Sequence, residues 1–132
     1  MNNKQFTELY EQLVRLYGPV LENNRFIIDG CRVCLTHNED HGTSWIDIQM
    51  EVMPLTEETA FDLVSTALAF NGIHLSKTRN PAWFGMTGET APYITLNQRS
   101  YDPKFTVVDV GNFVKYLRNQ AKEFAIEVGV VN

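Results

Sequence analysis

A single α+β domain, with elements in the order α-β-β-β-α-β-β-α and a twisted antiparallel sheet packed against helices, is the fold class that three features of the sequence predict. Three segments carry apolar side chains at helical spacing. Five shorter ones alternate apolar and polar residues or are rich in β-branched ones. Turn residues such as Asp29-Gly30 join the short segments into hairpins, and no repeat, linker or low-complexity tract interrupts the 132 residues. With 44% hydrophobic residues, a chain of this length buries a core without disulfides or a structural metal.

From Lys4 to Tyr17, the apolar residues Phe6, Leu9, Tyr10, Leu13, Val14 and Tyr17 fall on one helical face, and Gly18-Pro19 stops the helix. Arg25 to Thr36 is apolar and β-branched around Asp29-Gly30, the strongest short-range signal for a two-residue hairpin turn. Pairing about that turn sets Ile28 opposite Cys31, Ile27 opposite Arg32, Phe26 opposite Val33 and Arg25 opposite Cys34. Phe26, Ile28, Cys31, Val33 and Leu35 then share a core face, and Arg25, Ile27, Arg32, Cys34 and Thr36 the other. His37 to His41 reads as a solvated turn leading past Gly42 to a third strand, Ser44 to Met53, in which Ile46, Ile48, Met50 and Val52 alternate with Asp47, Gln49 and Glu51.

Thr56 is the expected N-cap of a second helix, with Glu57 and Glu58 complementing its dipole and Asn71-Gly72 closing it. Its residues Ala60, Phe61, Leu63, Val64, Ala67, Leu68 and Phe70 cover about half the circumference, wider than the roughly 100° stripe that packing on one sheet requires. One side is left for another partner. Pro81 precedes a short strand at Trp83 to Met86, Gly88 to Pro92 forms a turn, and Tyr93 to Arg99 completes a second hairpin. The last helix runs from Pro103 or Asp109 to Val128, with caps available at Asp102-Pro103 and at Thr106 with Asp109. His74 falls in the loop after the second helix.

The charge balance excludes some partners. Sixteen acidic against eleven basic residues give a net charge of −5, which disfavours nucleic acid and anionic membrane surfaces. No signal segment and no apolar run of about 18 residues is present, so the expectation is a cytoplasmic protein without membrane insertion. Two cysteines in this composition fit a reducing compartment.

Cys31, Cys34, His37 and His41 resemble a thiol or zinc motif on paper. In a strand, a separation of three sends the two sulfurs to opposite faces, with Cα atoms roughly 10 Å apart, too far for a disulfide. No metal site and no cofactor is expected. The chain has no G-x-S-x-G, G-x-x-x-x-G-K-[ST], H-E-x-x-H or G-x-G-x-x-G motif, and Asp47, Glu51 and Glu89 read as solvated carboxylates. No catalytic residue is assigned and the reading is not an enzyme. A thiol or metal-dependent enzyme built on Cys31, Cys34, His37 and His41 is the lesser alternative.

The length, the acidic balance, the element order and the stretches Glu22-Asn-Asn-Arg-Phe-Ile-Ile-Asp29 and Phe61-Asp-Leu-Val-Ser-Thr-Ala-Leu-Ala-Phe-Asn71 together resemble the class I, CesT-like effector chaperones of bacterial type III secretion. The likeness covers nearly the whole chain. It implies a homodimer that binds the N-terminal segment of a secreted effector, keeps it non-globular and helps deliver it to the secretion ATPase, without a nucleotide of its own. On that reading Leu63, Ala67 and Phe70 of the second helix meet their two-fold mates. Effector-binding candidates are Leu9, Leu16, Ile27, Arg32, Cys34, Trp83 and Tyr93, because an extended client needs apolar surface and sheet-edge hydrogen bonds. A YbjN-like domain of similar architecture, with no secreted client, is the other binding-class alternative.

Overall fold

Asn2 starts the first helix. Its side-chain oxygen accepts from the Gln5 amide at 2.8 Å and Gln5 Oε1 accepts from the Asn2 amide at 2.8 Å, a reciprocal cap that satisfies two amides lacking intrahelical partners. Helix α1, Asn3–Tyr17, ends at Gly18, whose φ of +87° is one that side chains disfavour. In the computed structural model, residues 1–21, 24–73, 82–87 and 92–129 are described, with backbone only at 72 and 73. The expectations for His74, Pro81, Glu89 and the turn at 88–91 lie outside them.

Strand β1, Arg25–Ile28, and strand β2, Cys31–Asp40, pair in the expected register, Ile28 opposite Cys31 through Arg25 opposite Cys34. Asp29 at φ +50° and Gly30 at +78° make the turn, the paired positive angles of a type I′ hairpin. His41 at φ +50° and Gly42 at +79° make a second turn of that kind. This corrects the reading of His37 to His41 as a solvated loop: β2 runs on to Asp40, with His37 paired to Ile46 and Asn38 to Trp45. Polar side chains concealed the extension, because backbone pairing holds a strand even where its side chains are hydrophilic.

Strand β3 spans Thr43–Pro54 and pairs on its other side with β5, Tyr93–Ser100, across an irregularity between Glu51 and Met53. Strand β4, Ala82–Met86, lies outside β5, so among the described residues the sheet has five strands in the order β1-β2-β3-β5-β4, each neighbouring pair antiparallel. Helix α2, Ala60–Ile73, bridges β3 and β4. Thr56 caps the turn before it, since the Thr59 amide donates to Thr56 Oγ1 at 3.3 Å, and the helix proper starts at Ala60, three residues later than the capping pattern suggests. Helix α3, Val107–Glu127, takes Thr106 with Asp109 as its cap.

One face of the sheet carries Phe26, Ile28, Val33, Leu35, Ile46, Ile48, Met50, Phe84, Ile94 and Leu96, all buried. The helices cover it, with α3 central and in contact with both α1 and α2. Phe70 of α2, Phe84 of β4 and Phe124 of α3 form a three-ring cluster with centroids 4.5 to 5.9 Å apart, which locks the three elements together. Among the described residues no helix is long and apolar enough to cross a membrane.

Candidate interaction surfaces

Helix α2 carries apolar residues over about half its circumference, and the fold divides them. Leu63, Ala67 and Phe70 face inward and are at most 5% exposed. That burial corrects their assignment to a dimer contact: they complete the core of the single chain, and Phe70 is held between Phe84 and Phe124. The outward side carries Phe61, 81% exposed, with Val64 and Leu68. Beside them a shallow apolar depression of about 140 Å³ is lined by Val64, Leu68, Phe84, Met86 and Ile94. Helical periodicity located both sides of α2 and could not rank them, because either side is apolar enough to be core.

The sheet face turned away from the helices assembles five of the seven effector-binding candidates. Ile27 sits opposite Arg32, Cys34 lies in the row that runs from Arg25 to Trp83, and Tyr93 has the same parity on β5. Ile27 and Trp83 are exposed, and Cys34 and Tyr93 are half-buried. Cys34 and Trp83 line one cavity of about 310 Å³ with Thr36, Asp47, Gln49 and Asn97. A Cβ at Gly85 beside it would lie 2.8 Å from Asn97 Nδ2, so a larger residue there would have to displace the side chain that donates to the Trp83 carbonyl at 3.3 Å. The remaining two candidates stand apart. Leu16 is exposed on α1, and Leu9, expected at a client surface, is buried in the core.

Charges on this face are internally matched. Glu51, its side chain 5% exposed, forms ion pairs with Arg25, Nε to Oε1 at 3.1 Å, and with Arg32, Nε to Oε2 at 2.9 Å. Arg99 forks onto Asp47, which holds its guanidinium above its ordinary pKa, with the Tyr101 hydroxyl a lesser cause. Sequence reading singled out Asp47 and Glu51 as solvated carboxylates, and that is corrected: each is paired, Glu51 inside the protein. Arg99, the row partner of Asp47 on β5, and Arg32, one residue before the Val33–Met50 pair on β2, were the signal that could have found both pairs.

The thiol and metal alternative loses its geometry. Cys34 lines the cavity on the outer face, whereas Cys31 borders a groove under α3. Burial pushes both thiols up from the ordinary range, the opposite of an activated cysteine. His37 stacks on Phe6 at 5.3 Å and bonds Asn3 and the Met1 carbonyl at 2.9 and 3.0 Å, tying β2 to the start of α1. His41 is an exposed turn residue, and the described residues hold no cluster of three or more metal-ligating side chains. Compared with protein-family models, curated proteins and solved structures, the chain matches none.

Proposed function

We propose that the chain is a homodimeric cytoplasmic chaperone that holds the N-terminal segment of a type III secreted effector in a non-globular state and presents it to the secretion ATPase. The observation that carries this reading is the outer face of α2. Phe61, Val64 and Leu68, with Met86 of β4 alongside, make a contiguous apolar strip of the kind that marks an interaction site. A two-fold axis beside α2 would set each strip against its copy, the isologous contact that most oligomers use. The second support is the outer sheet face, where Ile27 on one edge strand and Trp83 on the other offer apolar contacts to an extended segment. The resemblance of element order and acidic balance to class I secretion chaperones supplies the client class.

Light scattering on the purified chain tests self-association, with twice the 15.1 kDa chain mass expected. Purification from the native bacterium tests the client. A partner carrying a secretion signal that dissociates when Ile27→Asp and Trp83→Ala are combined would support the reading. A monomer that retains no protein partner would overturn it.

A further inference from the structure

A groove of about 520 Å³ runs between the second half of α3 and the ends of β2 and β3. Cys31, Met50, Val52, Met53, Ala121 and Ile126 line it. Met50 at its floor is 1% exposed, whereas Ile126 at its rim is 62% exposed. Arg118 and Lys122, one helical turn apart, stand on the wall formed by α3, and Lys115 continues their stripe at i, i+3, i+7 spacing. All three are exposed, and none forms an ion pair among the described residues. Glu51 also borders the groove, but its carboxylate is taken by Arg25 and Arg32.

We propose that this groove docks an acidic amphipathic helix of a partner protein, its apolar stripe against Met53 and Ile126 and its carboxylates along Lys115, Arg118 and Lys122. Charge complementarity selects this occupant. On a chain of net charge −5, an unpaired basic stripe is a local reversal of sign. Its three members are strung along a helix rather than gathered round one point, which matches carboxylates repeated every turn rather than a single anionic head group. The methionines of the lining can repack around different apolar side chains. No residue lining this groove lines the α2 depression, so the site goes beyond the proposed self-association and does not depend on it.

The full chain carrying Cys34→Ser leaves Cys31 as the only thiol and makes its alkylation a reporter of groove occupancy. The probes are two labelled helical peptides of roughly 18 residues with the same leucine stripe, one flanked by glutamate and the other by lysine. The expected result is that the glutamate peptide binds roughly tenfold tighter in low salt and slows alkylation of Cys31, and that Arg118→Glu with Lys122→Glu reverses the preference. Both substitutions are on exposed positions, and an unchanged circular dichroism spectrum confirms folding. The proposal is overturned if neither peptide protects Cys31, if the charge reversals leave the preference as it was, or if a small carboxylate such as decanoate protects Cys31 while the peptides do not.

Discussion

Arg99 and Asp47 face each other across β5 and β3 and share two parallel hydrogen bonds, Nε to Oδ1 at 2.7 Å and Nη2 to Oδ2 at 3.1 Å. The same guanidinium lies 4.7 Å from the ring centre of Trp45 and 5.6 Å from that of Trp83, so one side chain links β3, β5 and β4. Asp47 also accepts from Trp45 Nε1 at 3.3 Å and from Asn38 at 3.2 Å. Lysine offers a point charge without the planar fork or the stacking surface. Arg99→Lys is therefore expected to lower stability by about 1 kcal/mol, a modest figure because solvent reaches 36% of Arg99 and 23% of Asp47. Urea unfolding followed by tryptophan fluorescence measures it, and an unchanged midpoint would mean that the fork contributes nothing.

Glu51 is a different case. Its carboxylate and the Arg25 guanidinium are both nearly inaccessible, at 5% and 6%, whereas Arg32 is partly in water. Removing one member of a buried pair leaves the other's charge poorly compensated, which costs about 3 kcal/mol or more. Glu51→Ala should be the most damaging change on this face and Arg32→Ala one of the mildest, near ~1 kcal/mol. Chemical denaturation of the two variants side by side gives the order. Equal costs would show that Glu51 is solvated in solution.

How much could be read from the letters depends on which physical signal each feature uses. The β1–β2 register follows from one turn, because Asp29-Gly30 needs positive φ at both positions and strand parity then places every partner to Arg25 and Cys34. The element order follows for the same kind of reason, since hydrophobic periods of two and of about 3.6 differ plainly over a dozen residues. The orientation of α2 was not legible. With apolar residues on both sides, only the aromatic cluster of Phe70, Phe84 and Phe124, which joins residues distant in sequence, turns it one way. The burial of Leu9 was hidden likewise, because the face of α1 is wide and only contact with the sheet shows that Leu9 and Leu13 form its centre.

The cysteines bear on pH. Burial raises both thiols, with Asp29 adding to the effect at Cys31 while Arg118 and Lys122 oppose it, and Arg25 opposes it at Cys34. A raised acid pKa means that the native state holds protons which the unfolded chain releases, so stability is untouched below the ordinary thiol value of 9.0 and falls as pH rises through it. Alkylation should accelerate only above that range, with each residue reacting singly and no disulfide appearing under mild oxidation. Mass spectrometry after timed iodoacetamide exposure follows both. Rapid modification at neutral pH would contradict the burial of the thiols, and an internal Cys31–Cys34 disulfide would contradict the strand geometry.

The two sides of α2 should respond oppositely to substitution, and the contrast separates core from interface. Leu63 and Phe70 are buried against other elements, so Leu63→Ala and Phe70→Ala remove packed volume that the neighbours cannot refill, at about 2–5 kcal/mol each. Phe61 and Leu68 bury little in one protomer, so Phe61→Ser and Leu68→Ser should change its unfolding by no more than about 0.5 kcal/mol. If the outer strip is where two copies meet, the same serine variants convert a dimer into a folded monomer, because an interface that loses its central apolar anchors loses most of its binding energy. Light scattering reads the mass while circular dichroism and denaturation read the fold. A dimer that survives Phe61→Ser with Leu68→Ser would move the contact away from α2, and unfolding by that pair would mean that the strip is covered within the protomer.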